Sequence, residues 1–227
     1  MESDSTYKSK LINKNYWEEF YENELDSYND VGYRGEEWFE DYIDAIVDWV
    51  METGCEVQSG RVLDIGCGNG LFLIDLIRNI NFSSAVGIDY IPSAIELAKK
   101  IVQEEELSDK ISLYPVDLVS GKDVSKNNDN EQILELGKFE VVVDKGTYDI
   151  FVMKDEKHIY KDSVSRYLKN GSILFISSCN STPEELCSVF DDQTNFEKLS
   201  ELPHKSYSYN GIEGQVLASV AFKYIKN

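Results

Sequence analysis

The sequence predicts an α/β fold, a doubly wound and mostly parallel seven-stranded sheet of Rossmann-like type with a C-terminal antiparallel hairpin strand. Three observations predict it. From Arg61 onward, short apolar runs alternate with helical patterns, as in βα units whose parallel strands are covered on both faces. The first of these runs ends in a glycine-rich turn, "VLDIGCGNGLF" over residues 62–72. The last stretch carries two strand-like runs around Asn210-Gly211 and Gly214 with no helix between them, a hairpin signal.

In chain order, residues 11–29 read as a helix with Ile12, Tyr16, Phe20 and Tyr21 near one face, interrupted by Gly32 and Gly35. A second helix is expected from Glu36 to Met51, because Trp38, Tyr42, Ala45, Ile46 and Trp49 recur at helical spacing. Gly54 is its stop signal. "RVLDI" is the first strand, followed by an apolar helix from Leu71 to Asn79. "SAVGIDY" is the second, and Pro92 sits just inside a helix that runs to Glu106. "KISLYPVDL" is the third, and residues 119–136 are a polar surface excursion. "FEVVVD" is the fourth, with a helix expected from Asp155 to Leu168. "NGSILFISS" is the fifth, led in by a helix-ending Asn170-Gly171, and Pro183 opens a helix to Phe190. "FEKLSEL" and the final apolar run complete the sheet. Residues 1–55 are thus expected to form a helical cap over residues 56–227, the two making one structural unit.

Composition narrows the function. The chain has 227 residues, enough for one α/β domain. A formal charge of −20 argues against a surface that tracks nucleic-acid phosphates, serves solubility and permits a basic protein partner. Cys55, Cys67, Cys179 and Cys187 are scattered and there are two histidines, which argues against a structural zinc or a disulfide framework and for a reducing compartment, the cytoplasm. Neither a signal peptide nor a membrane span is expected.

The glycine loop carries the chemistry. Gly66, Gly68 and Gly70 permit a tight turn and close approach of backbone to ligand. The spacing is G-x-G-x-G, whereas the dinucleotide fingerprint is G-x-G-x-x-G. Asp64, just before the loop, would repel a pyrophosphate and favour an ammonium. The loop therefore suits a nucleoside with a cationic, phosphate-free tail, such as S-adenosylmethionine. Asp89 closes the second strand about twenty residues on, where an acid accepts from ribose hydroxyls. Asp117 ends the third strand within reach of an exocyclic amine, with Leu118 packing on the base.

These residues resemble the class I, seven-stranded S-adenosylmethionine-dependent methyltransferases over residues 61–225, on "VLDIGCGNG", "GIDY", "PVDL" and the terminal hairpin. "YWEEFYENEL", "GEEWF", "DKGTYD", "LKNGSILFISSCNSTPEEL" and "ELPHKSYSYNG" extend the likeness to the protein-lysine methyltransferases of translation elongation factor 1-alpha. The resemblance implies a metal-free protein-lysine N-methyltransferase acting as a monomer on that protein. It implies cofactor contacts at Asp64, Gly66, Cys67, Gly68, Asp89, Tyr90, Asp117, Leu118 and Asp144. It also implies that "GEEWF" folds over the site, with Trp38 at the cofactor and Glu36 and Phe39 along the substrate channel. Trp17 and Phe20 are expected to be packing residues.

Methyl transfer to a lysine needs a neutral, aligned amine, so a group with a solution pKa of about 10.4 must lose a proton. The end of the fourth strand, "DKGTYD", is where groups for this belong. Asp144 is expected to orient the cofactor or amine, Gly146 to let the loop approach, Tyr148 to supply a ring wall and hydroxyl, and Asp149 to contact the amine or cap a helix. Lys145 is expected to pair with a neighbouring acid. The chain lacks an Asn-Pro-Pro-aromatic clamp at this place, which disfavours planar amide or adenine acceptors. Three other readings remain: an amine methyltransferase for small molecules or protein N-termini, a non-catalytic cofactor-binding scaffold for a translation factor, and, more weakly, a nicotinamide-dependent dehydrogenase.

Overall fold

A computed structural model of the chain describes residues 10–54, 56–57, 59–125, 135–209 and 212–226. Helix α1 spans Lys14–Val31 and α2 Ile43–Thr53, with a 3-10 turn at Glu40–Tyr42 before α2. The alternating part then runs β1 Arg61–Ile65, α3 Leu71–Asn79, β2 Ser84–Asp89, α4 Pro92–Glu104, β3 Ile111–Pro115 and β4 Phe139–Lys145. It continues with α5 Tyr148–Met153, α6 Lys157–Ser165, β5 Leu168–Ser178, α7 Pro183–Phe190 and β6 Phe196–Leu202. The end is β7 Ser206–Tyr209, β8 Ile212–Gln215 and β9 Ala218–Tyr224.

The seven-stranded sheet has the order β3-β2-β1-β4-β5-β9-β6. Strands β1 to β5 pair in parallel, and β9 runs antiparallel between β5 and β6. The order reverses between β1 and β4, so the carboxyl ends of the central strands open a crevice there. The apolar runs are covered on both faces. Val62, Val141, Val143 and Phe175 pack with α2, α3 and α4. Leu63, Ile65, Val142, Leu174 and Ile176 pack with Tyr160, Leu186 and Phe190 from the opposite helices. Each fully buried side chain of this size stabilises by about 1.5–3 kcal/mol.

Local signals explain several boundaries. Asn13 accepts from the Asn15 N–H at 3.0 Å and starts α1, and Gly32, at φ 74°, ends it. Thr182 and Glu185 form a reciprocal capping box on α7, with Pro183 in its first turn.

Four expectations need correction. The helix expected from Glu36 starts only at Ile43, because residues 34–38 are held by side chains from elsewhere in the chain and Phe39 adopts φ 63°. Helix α2 belongs to the sheet layer, with Trp49 edge-on to Phe175 at 5.0 Å and donating to Ser200 Oγ at 2.7 Å. The helix expected from Asp155 to Leu168 is shorter, α6, and an additional short helix, α5, precedes it. Asn170-Gly171 lies inside β5, where Gly171 at φ 87° accompanies a shift in register against β4. The in-sheet antiparallel strand pairs β6 with β9, while β7 and β8 form their own ladder outside the sheet. The turn at Asn210-Gly211, Cys55 and much of the 119–136 excursion lie outside the described residues. No helix of the described residues is long and apolar enough to cross a membrane.

Candidate active site

A cavity of about 400 Å³ opens at the carboxyl ends of β1 to β5, between the glycine loop, residues 116–119, residues 145–154 and residues 36–38. This is within the ordinary size range of a small-molecule site.

The glycine loop forms its floor. The N–H groups of Gly66 and Cys67 both donate to the Ile88 carbonyl, at 2.8 and 3.0 Å, and so tie the loop to the end of β2. Gly66, Gly68 and Gly70 have φ of 67°, 53° and 78°, a region costly for other residues. Space is equally restrictive. A Cβ on Gly66 would lie 1.8 Å from Thr147 Oγ1, and one on Gly68 would lie 2.4 Å from the Tyr21 hydroxyl. The loop is thus covered by Thr147 from after β4 and by Tyr21 from α1. Thr147 is itself fixed by donating to the Ile65 carbonyl at 3.0 Å.

Asp89 is buried at the cavity edge. Its Oδ2 accepts from the Gly68 N–H at 3.0 Å and its Oδ1 from the Ile91 N–H at 2.9 Å. Burial pushes its pKa up to about 6 against hydrogen bonds from the Ile91, Gly68 and Tyr90 backbone. A carboxylate has about four acceptor positions, so about one remains free for a ligand's hydroxyl. Asp117 holds its own turn, accepting from the Val119 N–H at 2.9 Å and from Ser120 Oγ at 2.7 Å. Leu118, Val116, Ile65 and Ile88 give the same end of the cavity an apolar lining. Tyr90 is exposed at the rim with the Lys14 ammonium 4.4 Å over its ring. Gly66, Cys67, Gly68, Asp89, Tyr90, Asp117 and Leu118 all line the cavity. Asp64 does not. It is buried on the β1 face towards Lys145, and burial pushes it up to about 8 although the Lys145 cation opposes the shift.

Residues 34–38 form a strap over the cavity, held from three sides. Asn69, between Gly68 and Gly70 of the glycine loop, donates from Nδ2 to the carbonyls of Arg34 at 3.2 Å and Glu36 at 3.1 Å. Glu24, buried on α1, accepts from the Glu36 N–H at 2.6 Å. Lys145, at the end of β4, pairs with Glu37 Oε1 at 2.6 Å and donates to the Trp38 carbonyl at 2.9 Å. Glu36, Glu37 and Trp38 line the cavity, with Trp17 packed 5.4 Å from Trp38. Glu37 Oε2 and Trp38 Nε1 are buried and have no hydrogen-bond partner among the described residues. Phe39 falls just outside the cavity, with its ring edge 3.6 Å from where a Cβ on Gly146 would lie.

The residues after β4 divide by direction. Strand alternation sends Val141, Val143 and Lys145 towards the strap and sends Val142 and Asp144 to the opposite face. Asp144 is 2% exposed. Its Oδ1 accepts from the Tyr148 N–H at 3.1 Å and its Oδ2 from the Tyr160 hydroxyl at 2.7 Å. Burial pushes it up to about 7 against those bonds. It does not reach the cavity, which corrects its expected contact with cofactor or amine. Tyr148 is also turned away, fully buried against Tyr160 at 5.0 Å and Phe190 at 5.7 Å. The expected ring wall is instead supplied by Trp38 and Phe151. Asp149 does line the cavity. Its Oδ1 accepts from the Ser178 hydroxyl, and its Oδ2 accepts from the Cys179 N–H at 3.1 Å and faces the Cys179 thiol at 3.1 Å.

Tyr21, Glu37, Asn69 and Thr147 were not anticipated from the sequence. Alternation along β4 does carry the signal that Asp144 and Lys145 face opposite ways. Nothing local marks Asn69 or Glu24 as anchors, since their partners lie 12 to 35 residues away.

Comparisons with known proteins agree with this geometry. A family described as "Methyltransferase domain" matches residues 56–217. "EEF1A lysine methyltransferase 2" of Homo sapiens is 34% identical over 226 residues, covering 97% of this chain and 89% of that protein. "Protein-lysine N-methyltransferase EFM4" of Saccharomyces cerevisiae is 30% identical over 229 residues, covering 94% of each. Among solved structures, the N-methyltransferase NodS from Bradyrhizobium japonicum in complex with S-adenosyl-L-homocysteine superposes with a TM-score of 0.62. It shares 15% identity over 92% of this chain and 98% of that one, a likeness of fold.

Proposed function

We propose that this chain, which belongs to the S-adenosylmethionine-dependent methyltransferases, methylates the ε-amine of a lysine in translation elongation factor 1-alpha. The observation that carries the substrate is the near full-length similarity to lysine methyltransferases from both vertebrates and yeast. It reaches the strap and α1, which lie outside the span of the general domain match. The activity is assigned to a cytoplasmic monomer that recognises a basic protein surface.

The residues fit S-adenosylmethionine, which supplies an electrophilic methyl on a sulfonium. Asp89 retains acceptor capacity towards the ribose hydroxyls. Asp117, Leu118, Val116 and Ile88 surround a space suited to a flat base, with Tyr90 at its rim. Gly66, Cys67 and Gly68 offer backbone without obstructing side chains. Trp38 closes the cavity from above, and its free indole N–H is a donor suited to a carboxylate. Asp64 acts through Lys145 and the loop, since it does not touch the cavity.

Asp149 is the acid assigned to the acceptor. Three of its acceptor positions are used by Ser178 and Cys179, which leaves about one for an incoming ammonium. An anion there holds the amine in the channel, while Trp38 and Phe151 exclude water and favour its neutral form. Gly146, at φ 97°, bends the chain so that no side chain blocks the approach. Lys145 is kept from repelling the substrate by its pairing with Glu37.

The test is intact-mass analysis of purified elongation factor 1-alpha before and after incubation with the protein and S-adenosylmethionine. Added multiples of about 14 Da, mapped to a lysine, are expected. An unchanged mass, with radiolabel passing into small molecules of a lysate instead, would remove the protein substrate.

A further inference from the structure

Lys145 is an unexpected residue to find at a site for cations. Its ammonium lines the cavity at the end of β4, in a fold whose methyl donor carries a sulfonium and whose proposed acceptor is an amine. Its side chain is 11% exposed and that of Glu37 15%, so neither charge is well solvated. The pair lies 2.6 Å apart, both members line the cavity, and Lys145 also holds the strap through the Trp38 carbonyl. The Phe39 and Phe72 rings, with centroids 5.9 and 5.5 Å from the ammonium, back the pair from behind the wall. In such surroundings, removing one partner leaves the other as a bare charge.

We propose that the Glu37–Lys145 pair is a specificity-determining element that keeps the strap side of the cavity wall free of net positive charge, and thereby sets the preference for the cationic methyl donor over its neutral thioether product. S-adenosylmethionine and S-adenosylhomocysteine differ by one methyl and one positive charge at sulfur. Any net charge on the wall is therefore read as a ratio of their affinities. With Glu37 present, the ammonium of Lys145 latches the strap without opposing the sulfonium. Without Glu37, the same ammonium would favour the product and slow turnover by retaining it. The inference goes beyond the protein substrate and does not depend on which amine is methylated.

Calorimetry with each ligand tests it on the intact protein. Measured near pH 6, where burial keeps the neighbouring Asp64 protonated, Glu37→Gln leaves Lys145 uncompensated and is expected to raise the ratio of the dissociation constants, donor over product, at least about threefold. Unit charges lining one cavity interact by more than thermal energy at an effective dielectric of about 20. Lys145→Met leaves Glu37 uncompensated and is expected to lower the ratio at least about threefold. The double variant returns it to the wild-type value. Displacement of the strap alone weakens both ligands alike and cancels in the ratio, so a purely structural role leaves it unmoved. Hydrogen exchange at the Glu36 amide, faster in Lys145→Met, reads the latch separately and in the absence of ligand. Ratios unchanged in both single variants, or shifted in the same direction, would overturn the proposal. If the wild type binds neither ligand, the cofactor assignment falls and takes the pair's role with it.

Discussion

The two turns that follow the central strands β1 and β4 both bend at glycines of positive φ and work in opposite ways. After β1, "GCGNG" gives the cavity its backbone, and its one polar side chain, Asn69, reaches up to hold the strap. After β4, "DKGTYD" is crowded with functional groups, yet only part of it faces the cavity. Asp144 and Tyr148 turn to the far side of the sheet, where they meet Tyr160. Lys145, Gly146, Thr147 and Asp149 stay. The ligand floor is therefore made by the turn with the fewest side chains, and chemical groups in the other turn are selected by strand alternation and by the early start of α5. An acid at a strand end is a site residue only if its side of the strand opens on the cavity.

The largest effect should come from joining the two turns sterically. Gly66→Ala places a Cβ against Thr147 and demands a positive φ. Binding of S-adenosylhomocysteine is expected to fall below detection by calorimetry. Adding Thr147→Gly should relieve the clash and leave a cost of about 1–2 kcal/mol from the backbone conformation. Recovery of binding in the double variant would locate the damage at that contact.

Asp144→Ala should come next, and its effect should be on stability. It leaves the Tyr160 hydroxyl and the Tyr148 N–H without their acceptor in a dry interior, at a cost of about 2–4 kcal/mol. Urea unfolding should register the loss, while the affinity of the folded protein for S-adenosylhomocysteine moves far less than in Gly66→Ala.

Acidity offers a subtler separation. Asp64, Asp144 and Asp89 have folded pKa values of about 8, 7 and 6, raised in each case mainly by burial. Between the unfolded value of about 4 and these values, the folded state keeps protons that the unfolded state has lost. Stability of the ligand-free protein should therefore fall as pH rises from about 4 to about 8. Asp64→Asn should make that slope shallower by up to one proton over the whole range in thermal melts and remove it above about pH 7, where Asp64 is the last of the three still to hold its proton.

The smallest effect belongs to Asn69→Ala, which removes two hydrogen bonds to the strap. A loss of about 1 kcal/mol is expected. Its clearest reading would be faster hydrogen exchange within residues 34–38, with the cavity floor unchanged.

Much of the frame was legible in the sequence because it rests on local rules. The glycine spacing, the apolar runs and Pro92 and Pro183 at helix starts each act within a few residues. The strap was misread as helix because Trp38 and Tyr42 do fall in phase with Trp49. Asn69, Glu24 and Lys145 override that phase through contacts from distant parts of the chain. Tyr148 was misread for a related reason: where α5 begins decides which way its ring points, and an aromatic ring suits a core as well as a cavity. The terminal strands were assigned correctly as antiparallel, but which runs pair depended on β6 reaching across to β9.

The central claim is that Asp149, and not Asp144, is the acid of this turn that faces the acceptor amine. Single-turnover methyl transfer to elongation factor 1-alpha, measured with cofactor prebound for Asp149→Asn and Asp144→Asn, tests it directly. Asp149→Asn is expected to lose about 100-fold or more in rate while binding S-adenosylhomocysteine like the wild type. Asp144→Asn is expected to be less stable yet to transfer within a few-fold of the wild-type rate once the folded fraction is counted. A slow Asp144→Asn beside a fast Asp149→Asn would contradict the account.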